Sequence, residues 1–366
     1  MPQVGRQGAA VQEAGGQPFR AGTGALLERW SGRPLLVAVA AINAITGLAT
    51  VVILAPLIFG DDADTFRRCA LFLAEGRTDC SFPYPPLAAL VARPLTWVSS
   101  GGAAVAMTVI GLAILLSGVA LETRGRAAID RVLVAVAALG FGPVVHELLL
   151  GQTTLLIAAA LYPAVRREDA FRTGVPLGVA LAVAPKPMLL PVLAWMLVWR
   201  RRSLAAALLA ALLATGLGVA LTGVGQYRDW VSVATGFGHV SLAGEFAKGN
   251  FSLLGHGLTP VAIALVAVVG LATLWVIVRD EARGFVAALF AGLLVAPYTQ
   301  LYAPSILVLA VRPALAFAPR GTRLLVLVAN PVILFMFGLT AWSLVGLAVC
   351  VPWSVHGRAS APAGRQ

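Results

Sequence analysis

The fold of this chain depends on residues 173–199, which read TGVPLGVALAVAPKPMLLPVLAWMLVW. This apolar stretch holds one charged side chain, Lys186, near its centre. A single helix would place that ammonium in mid-membrane, at a cost of at least ~2.5 kcal/mol. Proline breaks a helix, and the residue before a proline avoids the α conformation. Pro185 and Pro187 therefore predict two short helices that meet near the membrane surface, with Lys186 between them.

The rest of the chain is equally apolar. Of its 366 residues, 59% are hydrophobic and 12% are charged, and the mean hydropathy is +0.88. Because a soluble domain carries about 25% charged residues and a membrane helix needs about 20 apolar ones, this composition predicts an all-α polytopic membrane protein. The other apolar runs lie at 34–59, 101–121, 129–149, 153–165, 204–222, 259–278, 285–297, 302–317, 323–338 and 340–353.

Counting residues 173–199 as two segments gives about twelve transmembrane helices with both termini in the cytoplasm. The basic residues support this topology, since cytoplasmic segments of membrane proteins are enriched in Lys and Arg. Twenty of the 27 Lys and Arg residues fall on the cytoplasmic side. The seven on the outer side are Arg67, Arg68, Arg77, Arg93, Lys186, Arg228 and Lys248.

This topology divides the chain into a disordered cytoplasmic tail (1–33), a transmembrane domain (34–354) and a short cytoplasmic tail (355–366). Two extracytoplasmic loops, 60–100 and 223–258, are long enough to hold a functional site. The net charge of +11 does not indicate nucleic-acid binding, because the basic residues form no patch with interleaved aromatics. The Ala-, Val-, Gly- and Arg-rich usage is typical of a high-GC bacterium such as an actinomycete, which indicates a bacterial plasma membrane.

The first outer loop begins with three carboxylates, Asp61, Asp62 and Asp64, and an apolar stripe that predicts a short interfacial helix. The carboxylates have a structural interpretation as well, since acidic residues stabilise a helix N-terminus. Cys69 and Cys80 lie in the same loop, where a disulfide and free thiols are both consistent with the sequence. No set of residues with metal-ligand spacing is present, so we expect no metal and no cofactor.

A further series of motifs follows in order. Gly76 and Phe82-Pro83-Tyr84-Pro85-Pro86-Leu87 come after the acidic cluster, and then Gly151-Gln152, Lys186-Pro187, Asn250-Phe251-Ser252 and Pro297-Tyr298. Over about residues 34–320 this order resembles glycosyltransferase family 87, whose members are membrane transferases of the GT-C fold that use polyprenyl-phosphate sugars. The resemblance implies a GT-C-like bundle and places the family's acidic residue on Asp62, with Asp64 second. The sequence departs from the family pattern at two places. The aromatic four positions after the acidic residue is usually Tyr and is Phe66 here, and the loop after Pro297, where the family often has a His or a Tyr-Asp pair, has Tyr302.

The outer-side residues also suggest a mechanism, in which Asp62 is the general base and Lys186 binds the departing phosphate. Lys186 could instead be a lysine that snorkels to the lipid headgroups. His146 has a purely structural alternative, and Gln152 could instead cap a helix. The other expected substrate-binding residues are Tyr84, His146, Glu147, Gln152, Lys248, Asn250, Tyr298 and Tyr302.

These expectations describe an inverting transferase that moves a hexose such as mannose, or a pentose, from polyprenyl phosphate to a lipid-linked or cell-envelope glycan. The expected partners are the donor, the acceptor and the lipid bilayer. We expect no nucleic-acid partner. Two alternatives stay open from the sequence, a secondary transporter or lipid-carrier flippase and a non-catalytic scaffold. Proline-broken helices around a lysine also occur in transporters, but no internal repeat is visible here.

Overall fold

The computed structural model of the chain describes residues 33–77, 83–241, 250, 252–256 and 258–310, and these residues form helices without a β-strand. The all-α prediction is confirmed for this part of the chain. The α-helices are α1 Arg33–Ile58, α2 Asp61–Ala74, α3 Pro86–Val91, α4 Ser100–Glu122, α5 Ala128–Leu139, α6 Gly142–Leu150, α7 Thr154–Arg166, α8 Phe171–Val183, α9 Leu190–Trp199, α10 Arg201–Thr222, α11 Val224–Ser241, α12 Pro260–Arg279 and α13 Glu281–Val295. Short 3₁₀ helices form at Arg93–Trp97, Pro187–Leu189, Leu253–His256 and Ala303–Leu309.

Four of the described segments are long and apolar enough to cross a membrane, namely Leu36–Ala74, which contains most of α1 and all of α2, and the helices α4, α10 and α12; counting the bent pair α5–α6 as one span gives five. Their surfaces expose large apolar side chains; Leu57, Leu212 and Leu271 are each about 70% exposed. Such surfaces are stable against lipid tails rather than water. Helix α1 alone, at 26 residues, suffices to span the bilayer. The predicted total of twelve segments stays a prediction, because the runs at 323–338 and 340–353 and both predicted tails, apart from Arg33, lie outside the described residues.

Residues 129–149 were expected to form one span, but the structure divides them into α5 and α6, which meet at an angle of 64°. Pro143 lies in the first turn of α6 and has no backbone N–H to continue the hydrogen bonding of α5. Gly140 lies at the break, where its backbone packs against the backbone of Asn43 in α1. The bend therefore follows from a proline next to a close contact between helices.

Residues 173–199 form two helices, as their prolines predict. Helix α8 ends at Val183, and α9 starts at Leu190 after the 3₁₀ turn Pro187–Leu189. Helices α8 and α10 run in the same direction, because Gly174 lies against the backbone of Ser203 and Gly178 against that of Ala207. The chain between them must therefore reverse direction, which agrees with a hairpin that places Lys186 at its tip.

The contact between α8 and α10 predicts a strong effect of a single methyl group. A Cβ added at Gly174 would lie 1.7 Å from the Ser203 carbonyl oxygen, and this backbone atom cannot move aside freely. We expect Gly174→Ala to destabilise the fold by about 1–3 kcal/mol, as overpacking commonly does. The measurement is the temperature of aggregation of purified protein in detergent. Gly216→Ala in α10 is the matched control, since its Cβ meets open space; equal midpoints for the two variants would contradict the prediction.

The turns at one end of the helices are rich in arginine. Arg200 forms an ion pair with Glu281 and donates to the Ala164 carbonyl oxygen, while Arg166 pairs with Glu122 at 3.0 Å. Helix α7 ends and helix α8 begins near these arginines. Each of the two helices has 13 residues and is about 20 Å long. The core between the two ends is centred on α13, in which every residue from Gly284 to Leu294 is buried.

Candidate functional site

At the other end of the helices, three of the predicted site residues meet at the side chain of a fourth, Gln152. The Gln152 amide nitrogen donates a hydrogen bond to Oδ2 of Asp62 at 2.5 Å. The amide oxygen accepts hydrogen bonds from the Tyr84 hydroxyl at 3.1 Å and from the Lys186 ammonium at 3.2 Å. Gln152 is buried, so its amide has a fixed set of partners. The structure thus brings together a carboxylate and an ammonium that are 124 positions apart in the chain.

The position of Asp62 follows from the turn between α1 and α2. The Gly60 N–H donates to the Leu149 carbonyl oxygen at 2.7 Å, which ties the start of α2 to the end of α6. Gly151 has φ +74°, and a Cβ there would lie 2.8 Å from the Cβ of Ala63. This position needs glycine both for its left-handed backbone and for the close contact. Gln152, the next residue, is thereby directed towards Asp62.

The ammonium of Lys186 lies among aromatic rings. Its Nζ is 4.7 Å from the ring centre of Tyr302 and 5.9 Å from that of Tyr84, distances at which a cation interacts with an aromatic face. Within the described residues, no carboxylate oxygen lies within 4.0 Å of this ammonium. Its hydrogen bond to a neutral amide leaves positive charge available to an anion.

The electrostatics of Asp62 reflect this environment. Burial raises the pKa of the Asp62 carboxyl, and the nearby charge of Asp61 adds a smaller increase. The hydrogen bond from Gln152 and the positive charge of Lys186 act in the opposite direction and lower that pKa. The net shift is upward, which is the direction that makes a carboxylate a better proton acceptor.

Two further predicted residues lie around this cluster in the loop after α13. Tyr302 is buried, and its ring stacks on His146 with the ring centres 6.2 Å apart. Burial raises the pKa of the Tyr298 hydroxyl, and the negative charge of the Asp62 carboxylate raises it further, so this hydroxyl lies near the same carboxylate. The Gln300 amide donates a hydrogen bond to that hydroxyl.

Glu147 and Asn250 are predicted site residues whose polar atoms form hydrogen bonds with backbone groups. Oε1 of Glu147 accepts the Leu155 N–H at 2.9 Å, and the Glu147 carbonyl oxygen accepts the N–H groups of Gly151 and Gln152. The Asn250 amide nitrogen donates to the Pro297 carbonyl oxygen, and Oδ1 of Asn250 accepts the Thr299 N–H. Glu147 therefore fixes the turn that carries Gln152, and Asn250 fixes the loop that carries Tyr298.

The remaining predicted residues are not part of the cluster. The carboxylate of Asp64 pairs with Arg68 at 2.8 Å, one turn further along α2, and contacts neither Gln152 nor Lys186. Lys248 lies outside the described residues. Cys69 is disulfide-bonded, and both other cysteines, Cys80 and Cys350, are outside the described range. In the described part of the chain, no group of three or more His, Cys, Asp and Glu side chains has the arrangement of a metal site.

Sequence analysis did not assign a role to the ring of Phe66. Its centre is 5.1 Å from that of Tyr84, and the buried side chain packs the start of α2 against the Tyr84 segment. Phe66 follows Asp62 by four residues, or one helical turn, which is the spacing of the aromatic residue in the family pattern. The ring positions the tyrosine that donates to Gln152.

The model of one known protein family, described as glycosyltransferase family 87, matches residues 82–304. The matched range contains Tyr84, Gln152, Lys186, Asn250 and Tyr302 and begins after Asp62. Neither the comparison with curated proteins nor the comparison with solved structures gives a significant match.

Proposed function

Because the chain belongs to glycosyltransferase family 87, we propose that it is an inverting transferase that uses a polyprenyl-phosphate sugar as its donor. The sugar is a hexose, with mannose first, or a pentose. The acceptor is a lipid-linked or cell-envelope glycan. In this proposal the Asp62–Gln152–Lys186 cluster is the active site, and it faces the extracytoplasmic side of a bacterial plasma membrane.

One observation carries the proposal: the Gln152 side chain joins the Asp62 carboxylate to the Lys186 ammonium. Glycosyl transfer from a phosphate needs a proton acceptor for the incoming hydroxyl and a positive charge for the outgoing phosphate. The Asp62 carboxylate and the Lys186 ammonium are two such groups, and the neutral Gln152 amide lies between them. The arginine-rich turns at the opposite end of the helices support an outward-facing site, since such turns are typical of the cytoplasmic side.

The proposed chemical step uses these two groups. An acceptor hydroxyl attacks the anomeric carbon of the donor while its proton passes to the Asp62 carboxylate. The bond between the anomeric carbon and the phosphate oxygen breaks, and its electron pair leaves with the polyprenyl phosphate, whose negative charge Lys186 stabilises. Direct displacement inverts the anomeric carbon and requires no covalent sugar–enzyme intermediate. A second carboxylate, as used by retaining glycosidases, is not needed.

The proposal is tested with purified protein in lipid vesicles. We expect radiolabelled mannose to pass from polyprenyl phosphate to a glycolipid acceptor, with the new bond of opposite anomeric configuration to the donor. A transporter or flippase would instead move the donor across the vesicle membrane without forming a new glycosidic bond. Movement of the donor without any transfer, when acceptors of several classes are supplied, would contradict the proposed activity.

The environment of Asp62 also predicts the pH dependence of this reaction. The carboxyl must be ionised to accept a proton, and burial raises its pKa above the ordinary value of 3.8. The transfer rate should therefore fall as the pH decreases towards this raised pKa. Lys186→Met removes a positive charge that lowers the Asp62 pKa, so the acidic decline of its residual activity should start at a higher pH. Identical pH–rate profiles for the variant and the unmodified protein would argue against Asp62 as the base.

A further inference from the structure

A groove beside α2 borders the proposed active site. It is a shallow groove with a cavity volume of about 40 Å³, and it is open to solvent on one side. Its walls come from α2, from the Tyr84–Ala89 segment and from α11. Helix α11 lies inside the stretch 223–258, which sequence analysis treated only as a long outer loop.

One face of α11 turns towards this groove. Gln226, Asp229, Trp230 and Val233 line it, and their spacing of three, four and seven residues places them on the same side of a helix. The Trp230 ring is held in place, because its Nε1 donates to the Pro83 carbonyl oxygen at 3.2 Å and Tyr227 packs against it edge to face. The face therefore presents a fixed aromatic ring next to a carboxylate and an amide.

The groove and the active site share one residue. The Tyr84 ring lines the groove, while its hydroxyl donates to the Gln152 amide that also binds Asp62. A molecule in the groove is thus one side chain away from the proposed base. Among the described residues that line the groove there is no lysine, and Asp229 and Arg77 contribute one charge of each sign. This balance fits a neutral ligand rather than a phosphate.

From these observations we propose that the groove binds a neutral sugar unit of the acceptor glycan, with Asp229 and Gln226 hydrogen-bonded to its hydroxyls and Trp230 against its apolar face. The assignment rests on the proposed transferase function. Carboxylates and amides bind paired hydroxyl groups well, and a flat aromatic ring matches the C–H face of a pyranose. The donor, whose phosphate is assigned to Lys186, does not need this groove.

The test compares Asp229→Asn with Arg228→Gln, an exposed neighbour on α11 that does not line the groove. Steady-state rates are measured over a range of acceptor and of donor concentrations. We expect Asp229→Asn to raise the KM for the acceptor about 10- to 100-fold, the loss typical of a hydrogen bond to a charged group, with the donor KM unchanged. Arg228→Gln should leave both KM values unchanged. An unchanged acceptor KM in Asp229→Asn, with transfer intact, would overturn the groove assignment alone.

A second measurement separates the groove from the transferase function. Binding of a phosphate-free mannose disaccharide to the protein in nanodiscs is followed by saturation-transfer NMR. We expect binding to the unmodified protein and to Arg228→Gln and loss of binding in Asp229→Asn. This result would support a carbohydrate site in the groove even if no donor gave transfer. Equal binding by Asp229→Asn and the unmodified protein would overturn the assignment.

Discussion

Asp62→Asn should reduce sugar transfer by a factor of about 10²–10⁴, the usual contribution of a positioned general base. Asparagine keeps the shape of the side chain, and its amide oxygen can still accept the hydrogen bond that Gln152 donates to Oδ2 of Asp62. Folding and insertion should therefore survive while the proton acceptor is lost. The measurement is the single-turnover rate of transfer in vesicles at saturating donor and acceptor, normalised to the amount of inserted protein.

Asp64→Asn is the matched control for this experiment. It removes a carboxylate from the same turn of α2, but one that pairs with Arg68 and does not contact Gln152. We expect it to retain transfer within about threefold, since ion pairs of this exposed kind contribute less than about 1 kcal/mol. Equal losses in the two variants would show that the acidic cluster acts as a whole, and an unaffected Asp62→Asn would remove this residue from the chemistry.

The second large effect is expected at Lys186. Methionine has a similar length and shape but no charge, so Lys186→Met should keep the hairpin and lose the stabilisation of the departing phosphate. Removing a single group that stabilises developing negative charge commonly costs a factor of about 10²–10³ in kcat. The rate is measured with excess acceptor over a range of donor concentrations, which separates an effect on kcat from one on donor binding.

Arg93→Met provides the comparison for Lys186→Met. It removes a cation that the topology also places on the outer side, but the side chain is exposed and lies in the 3₁₀ turn Arg93–Trp97, away from Gln152. We expect no more than a twofold change. A lysine that only snorkels to the lipid headgroups would behave like Arg93, so similar rates in the two variants would contradict the phosphate-binding role.

The parts of the fold that sequence analysis anticipated are those with a local physical cause. The prolines around Lys186 predict the break between α8 and α9, and the acidic residues after the first apolar run predict α2, whose buried side includes Phe66 and Ala70. The bend between α5 and α6 had a local signal too, in Gly140 and Pro143. It was missed because the mean hydropathy of residues 129–149 is that of one continuous span.

The arrangement of the candidate site was less accessible to sequence analysis. Asp62, Gln152 and Lys186 were each named as candidates from their residue type, and Gln152 was left undecided between binding a sugar and capping a helix. Its role as the link between carboxylate and ammonium depends on how α2, α6 and α8 pack, over separations of 90 and 34 residues. The face of α11 was missed for another reason, since its helical spacing lies in a stretch treated as a loop.

Helices α7 and α8, at about 20 Å, are shorter than the ~30 Å hydrocarbon layer of a typical bilayer. A bilayer crossed by these two helices would have to be about 10 Å thinner at this place, or the protein would have a recess above the hairpin tip. Both arrangements bring the Lys186 ammonium closer to the lipid tails than a full-length helix would. In the proposed reaction, the isoprenoid tail of the donor would then stay in the hydrocarbon layer while its headgroup reaches Lys186 from the side.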